Sequence, residues 1–181
     1  CQLIYEQILN SMQGRAVNTV FLIGRGPFYL NGGPGPRYSI ERSGVSSASE
    51  AYYLGLRQMV EKLRGSSIFL LIENPRFEHT PLECARKFRL SGKCRDFISR
   101  AQHDNEQTEY RKIIKRIAAQ FNDITLLDPT DFFCNEQTCS QTIEGMNLYA
   151  DTHHLNKIGG EKLVAYFVSQ KRLRFEDLGT P

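Results

Sequence analysis

The sequence predicts an α/β fold in which helices cover both faces of a parallel β-sheet, as a three-layer α/β/α sandwich. Short apolar runs, typical of strands buried on both faces, recur along the chain, and amphipathic segments with helical spacing separate them. This alternation favours a parallel sheet, because each parallel connection needs a crossover of about a dozen residues or more. With 181 residues, 40% of them hydrophobic, we expect one domain over residues 1–181.

Each of the three predicted strands ends at a residue that opens a loop. The strands and those residues are 17–23 with Gly24, 67–72 with Asn74, and 124–127 with Asp128. The carboxyl ends of parallel strands lie at one edge of the sheet, where such folds bind ligands. Three strands make a thin sheet and a helix precedes the first of them, so we expect one or two N-terminal strands of the fold to precede this sequence.

Four helices are predicted from apolar residues at spacings of three and four. They cover residues 3–12, 52–63, 110–121 and a final segment from about Asn156, which buries Leu163, Val164, Phe167 and Val168. Two loops are expected between these elements. Residues 26–36 hold too many glycines and prolines for periodic structure, and a hydrophilic loop holds Cys84 and Cys94.

Charge and hydropathy argue against a nucleic-acid partner and against a membrane-spanning helix in these residues. The formal net charge is only +3 and the basic residues are dispersed, so we expect no nucleic-acid partner. No apolar run approaches the roughly 18 residues that a membrane-spanning helix requires. The sequence begins at Cys1 without a signal-peptide pattern, so it is either a fragment or lacks a processed leader.

The five cysteines favour two disulfides, Cys84–Cys94 and Cys134–Cys139, each closing a short hydrophilic loop. Such bonds need an oxidising compartment, and Cys1 would then pair with a residue before this sequence. Two alternatives remain open: reduced cysteines in a cytosolic protein, and a zinc site, although spacings of ten and five residues are not those of a zinc ribbon.

Asp151 and His154 form the candidate catalytic pair. At a turn that enters a helix, a spacing of three can bring the carboxylate to Nδ1 of the imidazole, which leaves Nε2 free to act as a general base on a nucleophile. The alternative is that Asp151 only supports the helix N-terminus electrostatically. A metal held by Asp151, His153 and His154 is a weaker alternative, because no fourth ligand is convincingly spaced. His79 and His103 are interpreted as solvated histidines of polar loops.

Residues 148–155, Leu-Tyr-Ala-Asp-Thr-His-His-Leu, resemble the D-x-x-H-L block that closes SGNH hydrolases, an α/β family of flavodoxin-like architecture. Features before that block resemble the SGNH domains attached to bacterial membrane acyltransferases of the acyltransferase-3 type. These are the strand that ends in Gly24-Arg25, the strand that runs into Asn74-Pro75, and the cysteine pair Cys134 and Cys139.

The resemblance implies that the chain is the C-terminal portion of such a domain. The Gly-Asp-Ser block that bears the family's nucleophilic serine does not occur in residues 1–181, so we expect it before Cys1 and expect the 181 residues alone to be nearly inert. Gly24 and Arg25 stand where simpler members place an oxyanion-hole asparagine. Their backbone amides or the guanidinium are therefore candidates for binding the oxyanion or the substrate.

The function that the resemblance implies is extracytoplasmic O-acyl transfer without a cofactor. An acylated donor would give its acetyl group to hydroxyls of a surface glycan, such as a polysaccharide or lipopolysaccharide. An upstream membrane acyltransferase domain would be a partner and would tether the chain at the periplasmic side of the inner membrane. Two alternatives remain: an SGNH carbohydrate esterase or deacetylase, and a non-catalytic glycan-binding module that has kept the fold.

Overall fold

The computed structural model describes residues 17–30, 45, 47–91 and 95–178. The helix expected over residues 3–12, the part of the glycine- and proline-rich loop beyond Leu30, and the cysteines Cys1 and Cys94 lie outside the described residues.

The described strands and helices alternate along the chain. The strands are β1 (Thr19–Ile23), β2 (Ser67–Leu71), β3 (Phe97–Ser99), β4 (Ile124–Leu127), β5 (Thr138–Ser140), β6 (Thr142–Ile143) and β7 (Met146–Asn147). The helices are α1 (Gly26–Leu30), α2 (Ala48–Lys62), α3 (Pro81–Ser91), α4 (Arg100–Ala118), α5 (Thr130–Phe133) and α6 (Lys157–Ser169), and a 3₁₀ turn spans Phe175–Leu178.

The central sheet is parallel, with the strand order β1-β2-β4. Ile23 pairs with Leu71, and Leu71 pairs with Leu127, so the three strands end level with one another. The loops that follow the strands therefore begin at one edge of the sheet, as predicted. Two antiparallel pairs that the sequence analysis did not predict, β3-β5 and β6-β7, lie outside this sheet.

Helices pack on both faces of the sheet, which confirms the three-layer prediction. Alternate residues of β2 point to opposite faces. Ile68 and Leu70 join the cluster formed with α2 and α4. Phe69 packs in the cluster on the other face, which includes Leu163 of α6.

The first strand differs from the expectation that it would be buried on both faces. Phe21 is 37% exposed and Ile23 is 71% exposed, although the Phe21 ring stacks on Phe69 at 4.9 Å. On this side of the sheet, described residues cover β2 and β4 better than they cover β1.

Both predicted loops contain a helix. Residues 80–83 form a capping box before α3, because the Thr80 hydroxyl accepts from the amide of Glu83 while the Glu83 carboxylate accepts from the amide of Thr80. At α1, only a glycine fits at position 26, since a Cβ there would lie 2.0 Å from the Tyr110 ring. Pro81 stands at the first position of α3, where proline's fixed φ suits the start of a helix.

Helix α4 begins ten residues earlier than expected, at Arg100, where Ser99 caps it by accepting from the amide of Gln102. Its inward stripe includes the polar residues His103 and Gln107. The interpretation of His103 as a solvated loop residue is therefore wrong: it is 1% exposed. Helix α6 begins where expected, although Val164 is 36% exposed rather than buried.

The disulfide Cys134–Cys139 is present as predicted and joins the end of α5 to β5. Cys84 is also disulfide-bonded, but its partner lies outside the described residues. None of the described helices is long and apolar enough to cross a membrane.

Candidate active site

Asp151 and His154 lie in direct contact in the turn that precedes α6. The Asp151 Oδ2 atom lies 2.6 Å from His154 Nδ1. The other oxygen, Oδ1, accepts from the backbone amides of His153 at 2.8 Å and His154 at 2.7 Å. Asp151 does not cap the helix, because Asn156 does so by accepting from the amide of Gly159. The geometry therefore matches the pair expected from the spacing of three.

The carboxylate of Asp151 stays ionised in this turn. Partial burial raises its pKa, but the hydrogen bonds from the His154 side chain and from the two backbone amides outweigh burial and hold the pKa well below its ordinary range. A permanent negative charge beside Nδ1 keeps the proton on that nitrogen and stabilises a protonated ring.

The Nε2 atom of His154 faces solvent. The His154 side chain is 66% exposed, and no described residue hydrogen-bonds Nε2. The nitrogen opposite the carboxylate is thus available to a reacting group. None of the described serines lies within hydrogen-bond distance of it, and Ser66 and Ser67 stand at the other end of the sheet.

His153 is the more buried of the two neighbouring histidines, with 17% side-chain exposure. Its ring lies 3.9 Å from the His154 ring, and its Nδ1 lies 3.1 Å from the Thr152 hydroxyl. Burial, followed by the positive charge of Arg25, lowers the pKa of His153 below its ordinary value. We expect a neutral ring that supports the turn at neutral pH.

Backbone pairing holds the turn against α6. Tyr149 and Leu155 form an isolated antiparallel bridge, and the amide of Asn156 donates to the carbonyl of Leu148 at 2.9 Å. The approach of the helix to Leu148 requires a glycine at position 159, because a Cβ there would lie 2.1 Å from the Leu148 carbonyl oxygen.

Asn74 ties the turn to the carboxyl end of β2. Its amide nitrogen donates to the His153 carbonyl and to the Tyr149 hydroxyl, each at 2.9 Å. The Tyr149 hydroxyl in turn donates to the carbonyl of Pro75 at 3.0 Å. We identified Asn74 from the sequence only as a turn residue. The available signal was a polar side chain in the loop that follows a strand at the ligand-binding edge.

Gly24 and Arg25 lie at the end of β1, beside the same edge. The Arg25 Nε atom lies 3.8 Å from Glu73 Oε1, and the guanidinium stacks over Phe28 at 4.3 Å. Arg25 Nε is buried and has no hydrogen-bond partner among the described residues. Gly24 lies near Tyr52, whose hydroxyl would be 3.7 Å from a Cβ at that position.

Glu73 is a second carboxylate near the pair, and the sequence analysis did not single it out. Its side chain is 11% exposed. Burial raises the pKa of Glu73, and the charge of Arg25 offsets this only in part. Asp128, which ends the third strand, lies outside this group of residues, because its carboxylate pairs with Arg111 and accepts from the amide of Thr130.

A cleft of about 940 Å³ opens beside the pair. Arg25, Glu73 and Thr152 line the end near His153, and β3 and the first half of α4 line the rest. Among the described residues, the donor atoms of Asp151, His153 and His154 lie within 4.8 Å of one another and could hold a metal ion. An ion bound through Asp151 Oδ2 would compete with the hydrogen bond from His154.

Comparison with known proteins defines the class. The family model of the SGNH domain that is fused to AT3 domains matches residues 1–169, so the chain belongs to this SGNH family. No curated protein matches the chain.

Two solved structures match the chain, and the first of them shares its fold. One is the periplasmic domain of a lipopolysaccharide acetyltransferase from Salmonella ser. Paratyphi A, with a TM-score of 0.63 at 14% identity over 92% of this chain. The match spans 61% of that domain. The other is a Streptococcus pneumonia protein described as a candidate platelet activating factor, with a TM-score of 0.48 at 15% identity over 93% of this chain and 68% of that one.

Proposed function

We propose that this chain supplies the acid-base pair of an extracytoplasmic O-acyltransferase that acetylates hydroxyls of a surface glycan. The observation that carries the proposal is the 2.6 Å contact between Asp151 Oδ2 and His154 Nδ1 beside an exposed Nε2. Membership of the AT3-fused SGNH family supports acyl or acetyl transfer or an esterase-like role, and the fold is shared with a domain of a lipopolysaccharide acetyltransferase.

The nucleophile is a serine on a Gly-Asp-Ser block that precedes Cys1. His154 Nε2 takes the proton of the serine hydroxyl as Oγ attacks the acyl carbonyl, and the protonated ring then gives that proton to the departing donor group. In the second half-reaction, His154 Nε2 takes the proton of a glycan hydroxyl as the hydroxyl oxygen attacks the acyl-serine. The proton returns to serine Oγ when the acetylated glycan leaves.

Asp151, Arg25 and Gly24 each have a part in this sequence of steps beside His154. Asp151 orients His154 and stabilises the imidazolium that forms twice in the cycle. Arg25 and the backbone amides near Gly24 are candidate donors to the oxyanion, since they lie at the end of the strand beside β2. The whole protein is held at the periplasmic face by an upstream AT3 membrane domain, and the disulfide at Cys134–Cys139 suits that compartment.

Hydrolysis is the second candidate, and one observation favours it. The 66% exposure of His154 leaves room for water to reach an acyl-serine. A transferase excludes that water by binding the glycan first, so partition of the acetyl group between sugar and water distinguishes the two activities.

The test uses the protein that contains this chain together with its upstream sequence. With an activated acetyl ester as donor and an oligosaccharide as acceptor, His154→Ala should lower turnover by about four to six powers of ten. Asp151→Asn should lower it by about four powers, because the NH2 group that replaces Oδ2 would donate to Nδ1 and place the ring proton on Nε2, where the base must be free. His79→Ala is the matched control and should leave turnover unchanged. Near-normal turnover in His154→Ala would reject the proposal.

A further inference from the structure

Apart from Arg25, the cleft beside the catalytic pair is lined by groups that the proposed chemistry does not use. It runs from Thr152 and Glu73 to Phe97 and Ser99 on β3 and to α4. Its volume of about 940 Å³ lies near the upper end of the roughly 300–1,000 Å³ that ligand pockets span, far more than an acetyl group needs. The cleft therefore has room for a ligand much larger than an acetyl group.

The charges in the cleft balance. Three arginines and three glutamates line it, namely Arg25, Arg76, Arg95, Glu73, Glu78 and Glu106, so their formal charges sum to zero. A polyanion would find no net attraction there, since association of charged partners follows the summed field. A ligand of many hydroxyl groups suits such a lining, because each hydroxyl can donate to a carboxylate and accept from a guanidinium.

Two buried polar atoms of residues that line the cleft, Arg25 Nε and Gln107 Oε1, lack a hydrogen-bond partner among the described residues. Gln107 is 3% exposed and its Nε2 donates weakly, at 3.4 Å, to the Glu73 carbonyl. Its Oε1 is buried and has no hydrogen-bond partner among the described residues. Buried amide oxygens are nearly always satisfied, so a ligand hydroxyl that reaches this atom after a small movement of the side chain would supply a donor that the described residues do not.

An aromatic ring completes the lining. Phe97 is 47% exposed at the cleft, although a ring of this size is usually buried. An exposed ring beside polar donors and acceptors offers a flat apolar surface for the C–H face of a sugar.

We propose that this cleft binds the acceptor as a neutral oligosaccharide, with Phe97 as the stacking surface and Gln107 Oε1 as an acceptor for a sugar hydroxyl. The inference rests on the proposed function, and it adds the class of acceptor and the place where it binds. Neutral sugar units extend along β3 and α4, and the unit at the Thr152 end presents its hydroxyl towards His154.

The test measures binding separately from turnover. The protein that contains this chain together with its upstream sequence is titrated with a neutral mannan-derived tetrasaccharide and with a carboxylated tetragalacturonate, by calorimetry and saturation-transfer NMR. We expect the neutral sugar to bind more tightly, with an affinity that hardly changes when salt is raised about tenfold. Phe97→Ala should weaken it about tenfold. Gln107→Leu should weaken it as well, with folding checked by circular dichroism.

Two variants outside the cleft serve as controls. Leu178→Ala removes another exposed apolar side chain, and Arg57→Gln removes an exposed charge that pairs with Glu61 on α2. Both should leave the affinity unchanged. Tighter binding of the acidic sugar, or full binding by Phe97→Ala, would overturn the inference.

The two proposals fail in different ways. If acetyl transfer occurs but the cleft variants change neither affinity nor the KM for the sugar, the cleft inference is wrong and the function stands. If neutral sugars bind in the cleft but acetyl transfer to them is absent, the cleft is confirmed and the function fails.

Discussion

At the scale of single residues, the two carboxylate oxygens of Asp151 have different hydrogen-bond partners and different functions. Oδ1 accepts from two backbone amides and so shapes the turn, whereas Oδ2 contacts His154 Nδ1. Exchanging the carboxylate for an amide can keep the first function and remove the second. This is why Asp151→Asn separates chemistry from folding better than Asp151→Ala does.

Tyr149 is the residue whose hydroxyl joins the turn that bears Asp151 and His154 to the loop after β2. It is 1% exposed, and its hydroxyl accepts from Asn74 and donates to the Pro75 carbonyl. Tyr149→Phe leaves a buried amide and a buried carbonyl each with one bond fewer. We expect a loss of about 1–3 kcal/mol in the free energy of unfolding, measured by denaturant titration.

Tyr29→Phe is the matched control for that substitution. Tyr29 is 53% exposed, so removal of its hydroxyl should change stability by less than about 0.5 kcal/mol. Equal effects of the two substitutions would mean that the Tyr149 hydroxyl does not anchor the turn.

At the scale of elements, α6 is held close to the chain that bears Asp151. A methyl group at position 159 meets the Leu148 carbonyl, whereas no atom lies within 4 Å of one at position 160. Gly159→Ala must push the helix or the backbone of Leu148 aside. We expect it to lower stability by about 1–3 kcal/mol and to lower turnover, because the turn moves with Leu148.

Gly160→Ala provides the opposite case on the same helix. It should raise stability by about 0.5–1 kcal/mol, since alanine favours the helix and fits the open space. Thermal unfolding of both variants measures the contrast. A neutral or stabilising Gly159→Ala would show that the close contact is not required.

At the scale of the whole molecule, the core contains a buried histidine whose protonation opposes folding. His103 lies 3.1 Å from the Thr130 hydroxyl. Burial, and then the positive charge of Arg111, lower its pKa to about 4, although the charges of Asp104 and Asp128 act in the other direction. In the unfolded chain the pKa returns to about 6.5.

Stability should therefore depend on pH between these two values. Above about pH 6.5 the His103 ring is neutral in both the folded and the unfolded chain, so its protonation does not reduce the free energy of unfolding. As pH falls towards 4 the unfolded chain binds the proton first, so up to about 3 kcal/mol of stability is lost. Urea titrations between pH 7 and pH 4 measure this loss, and His103→Gln should remove most of it.

Glu73 changes the stability in the direction opposite to His103 over part of this pH range. Its pKa is raised on folding, so its contribution is present at low pH and is lost as pH rises above its ordinary value. Wild type and His103→Gln share this term, and the difference between them isolates the histidine. Parallel pH profiles for the two proteins would contradict the assignment to His103.

Local patterns were sufficient to predict the sheet, its covering helices and the Asp151–His154 pair. The strands are apolar runs that end in loop-forming residues, and the pair lies within four consecutive residues, so neither depends on distant parts of the chain. The same local patterns did not predict α3, although its capping box, Thr80 followed three residues later by Glu83, can be recognised in the sequence. They also missed the early start of α4, because buried polar residues interrupt the apolar pattern there.

Tertiary structure alone decided which distant residues complete the site. Asn74 lies 79 positions from the His153 carbonyl that it binds, and Gln107 lies 34 positions from Glu73. These contacts exist because the loop after β2 meets both the turn before α6 and the inward face of α4. Residue type and local spacing determine which functional groups a segment carries. Strand register and helix packing decide which of those groups come into contact.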